Sequence, residues 1–195
     1  MLLEDITNCN CQKGISIVNL VSEQMELFIL RHGEAGKKLS STVGDHARPL
    51  TSTGKAEVLE EAKALKRIGV KFDLIISSPL KRAYETASIV AGIYKAKNKL
   101  KVWDELAPEG RKTDVYKKIS QLKEEQFILL VGHEPQLGEI TKEIIHKDKT
   151  TSCNILLKKG GLLRINLLTR TPVPKGELRW LLTPRILKTV TKKSS

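Results

Sequence analysis

Three short, largely apolar runs, Leu27-Phe28-Ile29-Leu30, Phe72 to Ile76 and Phe127 to Val131, each stop at polar or glycine-containing residues, and stretches of helical periodicity lie between and after them. A continuous apolar run this short reads as a strand buried on both faces. The helices show themselves by three- and four-residue spacing: Val58, Ala62 and Leu65; Leu80, Ala83, Ala87, Val90 and Tyr94; Val115, Ile119 and Leu122; and Leu137, Ile140 and Ile144, the last with Pro135 in its first turn. Strands that alternate with helices in this way build a parallel sheet covered on both sides. The alternation stops near residue 145. Beyond it, Asn154 to Leu157 and Leu162 to Leu168 flank Lys158-Lys159-Gly160-Gly161, which reads as a hairpin, and Glu177 to Leu182 adds one more strand. The expected fold class is α/β: a three-layer α/β/α sandwich with a mostly parallel sheet and a C-terminal antiparallel hairpin.

Bulk properties narrow the function. A chain of 195 residues suits one domain, and 40% hydrophobic with 29% charged residues is the composition of a globular protein. No apolar stretch reaches the length of a membrane span. Met1-Leu2-Leu3-Glu4-Asp5 has no basic leader character, and Ile15 to Val21 is broken by Ser16 and Asn19, so a cytoplasmic protein without a secretory signal or a membrane partner is expected. The formal net charge of +12 invites a nucleic-acid reading, but aromatic residues are 4% and no binding motif for DNA or RNA is present. The lysines are scattered, densest at Lys188, Lys192 and Lys193, so we expect a surface that attracts anionic substrates or partner proteins and no specific nucleic acid. Cys9, Cys11 and Cys153 lack the ligand pairs of a zinc site and read as free thiols; no metal and no other cofactor is expected.

Met1 to Gln24 has no clear period and is expected to be an N-terminal extension, with Met25, directly before the first strand, as an alternative start. Residues 25–188 form the domain, and 189–195 are expected to be a basic flexible tail. The segment Gly36 to Ala47, rich in Ser, Thr, Gly and Lys, is expected to be a mobile loop over the site.

Four polar segments sit where catalytic groups gather in α/β folds, at strand ends and loop-to-helix boundaries. They are Arg31-His32-Gly33-Glu34-Ala35, Arg48-Pro49-Leu50-Thr51, Ser78-Pro79-Leu80-Lys81-Arg82-Ala83 and His133-Glu134-Pro135. A neutral imidazole can attack phosphorus, and arginine's planar fork suits phosphoryl oxygens better than a lysine point charge. Singly, Arg82 also reads as a solvated helix residue, Arg48 as a loop cation and His133 as a structural histidine. Together they make a constellation.

In this order the segments resemble the histidine phosphatase superfamily, also called phosphoglycerate mutase-like, and most nearly its small phosphohistidine phosphatases of the SixA type. The resemblance runs from about Met25 to Lys188. It implies that His32 is the nucleophile, that Arg31, Arg82 and His133 cradle the phosphoryl oxygens, and that Arg48 reaches in as a substrate-binding residue. It also implies transfer through a phosphohistidine on His32, followed by hydrolysis, without metal or cofactor. Many mutases and broad phosphatases of the superfamily carry an acid after the third strand. Here Asp104-Glu105-Leu106-Ala107-Pro108-Glu109 puts Pro108 at that place, as the SixA type does in lacking an obvious acid. Glu34, Asp45, Glu105 and Glu109 remain candidates for the acid by proximity. The leading expectation is a phosphatase acting on phosphohistidine of a protein. The alternatives are a small-metabolite phosphatase or mutase and, from another class, a non-catalytic phosphate-binding module, against which a retained nucleophile argues.

Overall fold

Side chains that alternate along β1 (Met25–Arg31) divide the interior into two apolar layers, because successive residues of a strand point to opposite faces of its sheet. Leu27 and Ile29 join one buried cluster, Phe28 and Leu30 the other. The structure, a computed structural model, describes residues 25–37, 42–146 and 154–192. After β1 come α1 (Thr42–His46), α2 (Ser52–Arg67), β2 (Leu74–Ser77), α3 (Lys81–Ile93), β3 (Leu100–Val102), α4 (Lys112–Gln121), β4 (Phe127–Gly132), α5 (Gln136–Ile145), β5 (Leu162–Thr169), β6 (Lys175–Leu182) and α6 (Pro184–Lys192). The strands form a six-stranded sheet in the order β3-β2-β4-β1-β5-β6. Its first four strands are parallel, while β5 runs antiparallel to β1 and β6 antiparallel to β5.

Each face is covered by the helical stripes legible in the sequence. Val115 and Ile119 of α4 and Leu137, Ile140 and Ile144 of α5 pack on the layer of Leu27 and Ile29. Val58, Ala62 and Leu65 of α2, Ala83, Ala87 and Val90 of α3 and Leu187 of α6 cover the opposite layer. The three-layer α/β/α sandwich follows. Among the described residues no helix is long and apolar enough to cross a membrane.

Four local expectations are corrected. The antiparallel hairpin is β5 with β6; residues 154–161 form no strand, because their polar groups serve the end of β1. Arg31 donates to Leu157 O at 2.7 Å, and Gly160 N donates to the carbonyls of Arg31 and His32 at 3.1 and 3.2 Å. The expected loop 36–47 contains the short helix α1, with 38–41 outside the described residues. The expected tail is helical as far as Lys192, since Leu187 anchors α6 in the core. Met25 belongs to β1 itself and is buried. The expectations for residues 1–24 and for Cys9, Cys11 and Cys153 fall outside the described residues.

One buried carboxyl has no ordinary place in such a core. Glu61 on α2 is 4% exposed and its Oε2 has no hydrogen-bond partner among the described residues. It lies against Gly160, whose φ of +71° and lack of a side chain allow the approach; a Cβ there would stand 2.6 Å from Glu61 Oε1. Burial, with the nearby charge of Glu57, pushes the Glu61 carboxyl up to about 8, against the opposing effect of Lys188. A carboxyl whose folded value is raised favours folding while protonated, and that advantage is lost as pH rises from about 4.5 through about 8. Glu61→Gln should therefore match the wild type in acid and become the more stable protein across that window, by on the order of a few kcal/mol. Chemical denaturation at a series of pH values measures this, and a pH-independent difference would contradict it.

Candidate active site

The parallel register sets the site. Arg31 pairs with Gly132 and Ser77 with Val131, so the residues that follow β1, β2 and β4 emerge at one edge of the sheet. His32 N donates to Gly132 O at 3.1 Å and Ser78 N to Val131 O at 2.9 Å, which extends the pairing one residue past the strands. The turn after β1 is held from above by α2. Thr51 caps that helix by accepting from Gly54 N at 2.9 Å, and Gly54 packs so closely that a Cβ would lie 2.1 Å from Glu34 O.

His32 is 6% exposed. Its Nδ1 lies 2.7 Å from Gly33 O, and because a carbonyl only accepts, Nδ1 carries the proton. Nε2 is therefore a lone pair, and the Arg82 Nε–H donates to it at 3.3 Å. Burial drives the His32 imidazole down to about 4; the Gly33 carbonyl opposes this, while the charges of Arg82, Arg31 and Arg48 add to it. The result is a buried, neutral imidazole with one defined nucleophilic nitrogen at physiological pH.

The His133 ring lies beside it, with centroids 5.0 Å apart. Burial, then His32 and the three arginines, push His133 lower still. Its Nε2 is 2.9 Å from Ser78 Oγ, which already accepts from Leu80 N at 3.3 Å. With one proton and a second lone pair, the serine hydroxyl can meet Nε2 of the neutral ring in either tautomer. That Nδ1 is buried without a partner among the described residues. In the tautomer protonated on Nδ1, the neutral ring presents an unpaired donor beside the His32 ring.

Two of the three guanidiniums, those of Arg48 and Arg82, converge on Asp45 of α1. Arg48 Nε donates to Asp45 Oδ1 at 2.9 Å, and Arg82 reaches Asp45 Oδ2 at 3.2 Å and its backbone carbonyl at 2.8 Å. Arg48 also donates to Gly36 O at 2.8 Å. Arg31 spends one nitrogen on Leu157 O, while its Nε is buried without a partner among the described residues. His32, Arg82, His133 and Arg48 are thus brought together, and Arg31 adjoins them with its charge acting on both histidines.

The four carboxylates separate. Asp45 holds two arginines. Glu105 is tied to Lys118 at 2.6 Å and, although burial opposes it, the lysine holds its carboxyl below the usual range. Glu34 is exposed and accepts from Thr51 Oγ1 at 3.2 Å. Glu109 is largely exposed, 3.4 Å from His46 of α1 and close enough to act on Arg82.

Sequence reasoning missed Ser78 as the partner of His133, Thr86 as the acceptor of Gly33 N at 3.1 Å, and Glu134, whose oxygens accept from Leu157 N at 2.8 Å and Gly138 N at 3.2 Å. All three lie in or beside the quoted motifs. Only their long sequence separation hid the pairing.

The family model of the histidine phosphatase superfamily (branch 1) matches residues 27–108. An uncharacterized protein of Picosynechococcus sp. is 33% identical over 141 residues, covering 71% of this chain and 83% of that protein. The adenosylcobalamin/alpha-ribazole phosphatase of Escherichia coli is 39% identical over 69 residues, 34% of this chain and 32% of that enzyme. The chain thus matches about a third of that curated relative's length. Among solved structures, the protein histidine phosphatase SixA complexed with tungstate is similar with a TM-score of 0.72 and 25% identity, over 83% of this chain and 98% of the other. The sandwich is phosphoglycerate mutase-like, as the motifs implied.

The geometry predicts how His32 titrates. A side-chain NMR titration should find its ring neutral on Nδ1–H through the physiological range, with a midpoint near 4. A midpoint at the ordinary histidine value of 6.5 would contradict the buried, cation-flanked site.

Proposed function

For a chain that belongs to the histidine phosphatase superfamily of phosphatases and mutases, we propose hydrolysis of a phosphoryl group carried on a histidine of a protein, through a covalent phosphohistidine on His32. The observation that carries this reading is the fixed tautomer of His32: Nδ1–H on the Gly33 carbonyl and a buried lone pair at Nε2 beside Arg82.

His32 Nε2 attacks phosphorus in line, and the bond from phosphorus to the substrate nitrogen breaks. The Gly33 carbonyl then faces Nδ1–H of a ring that has gained positive charge, which it stabilises. Arg82, Arg48 and Arg31 take the equatorial oxygens, whose charge spreads in the transition state, and His133 Nδ1–H donates to one of them. Asp45 keeps Arg82 and Arg48 aligned before the substrate arrives. In the second half, water attacks the same phosphorus from the opposite side, phosphate leaves, and His32 recovers its lone pair. Every charge-stabilising role is filled by this chain's own cations and donors.

The leaving group decides the substrate. A phosphohistidine protonated on its other ring nitrogen departs as neutral imidazole, whereas an alkyl phosphate needs an acid that is worth roughly 10²–10⁴-fold. Asp45 is held by Arg48 and Arg82, Glu105 by Lys118 and Glu34 by Thr51, which supports the phosphohistidine reading. Placement of this chemistry in the cytoplasm is part of the same reading.

A second reading, a small-metabolite phosphatase, draws support from Glu109 near Arg82 and from the likeness to the alpha-ribazole phosphatase. Two variants test the chemistry that both readings share, and a substrate series separates the readings. His32→Ala should lose at least ~10³-fold in turnover and fail to trap acid-labile phosphate, and Arg82→Lys should lose at least ~10-fold because a point charge cannot replace the fork. Retention of a tenth of the activity by His32→Ala would reject it as nucleophile. Catalytic efficiency should fall from a phosphohistidine protein through an aryl phosphate to a sugar phosphate. Efficient sugar-phosphate turnover that collapses in Glu109→Gln would establish the metabolite reading instead.

A further inference from the structure

A cavity of about 790 Å³ opens beside the site, between the end of β1, residues 158–159 and the start of α6, and it lies outside the His32, His133 and Arg82 cluster. Its walls carry Arg31, Lys158, Lys159, Arg185 and Lys188. Lys188 is paired with Glu57 at 2.6 Å. Arg31 meets only a carbonyl and keeps a buried Nε without a partner, and no carboxylate lies within ion-pair distance of Arg31, Lys158, Lys159 or Arg185 among the described residues. Four cationic residues therefore line one concavity with no carboxylate at ion-pair distance among the described residues. Cations at a surface ordinarily separate into solvent or pair with acids, and a concave, low-dielectric wall raises the positive potential they produce together.

We propose that this cavity is a second anion site, which binds a small molecule bearing two or more phosphate groups. The size suits a small ligand: a space of this volume is that of a small-molecule site, typically about 300–1,000 Å³. A single phosphate would leave most of the four charges unanswered, whereas a polyphosphate spans them. Arg31 is shared with the phosphoryl site, so the two anion sites are contiguous through one side chain. The inference concerns binding and stands whichever substrate His32 serves.

The test is calorimetric titration of the full chain with tripolyphosphate at low salt, using the wild type, the double variant Lys159→Glu/Arg185→Glu, and Arg82→Ala. Tripolyphosphate should bind the wild type. The double variant should weaken it by at least ~10-fold, while Arg82→Ala should keep the wild-type affinity within about twofold. The double variant should also melt as the wild type and retain turnover of an aryl phosphate, since both residues are exposed and away from His32. Absence of binding to the wild type, equal binding by the double variant, or loss of binding in Arg82→Ala would each overturn the proposal. The last result would mean that the ligand occupies the phosphoryl site. Loss of aryl phosphate turnover in His32→Ala tests the catalytic reading separately.

Discussion

Parallel pairing of β1 with β4, and of β4 with β2, is the constraint on which the remaining structure depends. A one-residue slip would carry every side chain of a strand to the opposite face of the sheet, so that the residues of the two apolar layers would change places and lose their packing partners. Leu27 and Ile29 against Ile128 and Leu130, with Phe28 and Leu30 against Leu129 and Val131, match the register of β1 and β4 to the two layers. Once that is set, His32, Ser78 and His133 must emerge together. Removing a large side chain from such a layer typically costs about 2–5 kcal/mol. The same packing that stabilises the domain therefore aims the chemistry.

The electrostatics follow from burial among cations. Two imidazoles sit within reach of three guanidiniums, so the charge brought by a second proton on either ring would be both desolvated and repelled. Neutrality is the only state the surroundings favour, and neutrality is what a nucleophile needs. In turn the guanidiniums are restrained by carbonyls and by Asp45, so little reorganisation is needed when charge develops at phosphorus. Like charges held close together destabilise the empty site. That destabilisation is offset by the apolar layers beneath it and is released when an anion binds.

Much of this was legible from residue order. Continuous apolar runs announce doubly covered strands, and the stripes of α2, α3, α4 and α5 announce the two outer layers. His32, Arg82, His133 and Arg48 are legible because each stands at an element boundary, where side chains converge in an α/β fold. The C-terminal part was misread. Lys158-Lys159-Gly160-Gly161 has hairpin composition, yet Gly160 bonds back to Arg31 and His32, and the residue types of a turn and of a clamp are the same. Helix α6 went unseen because its apolar face, Ile186, Leu187 and Val190, is short and lies among lysines that suggest a tail. The roles of Asp45 and Ser78 depend on contacts between residues 37 and 55 positions apart, and no local pattern encodes those.

The central claim, a phosphohistidine formed on His32, has a stereochemical consequence. Each in-line displacement inverts configuration at phosphorus, so two in succession restore it, whereas direct attack by water inverts it once. The decisive measurement follows a substrate whose transferred phosphorus is made chiral with sulfur and oxygen isotopes, hydrolysed in labelled water by the wild-type protein. The account predicts net retention of configuration in the released product. Net inversion would contradict it, because the phosphoryl group would then have passed to water without resting on His32.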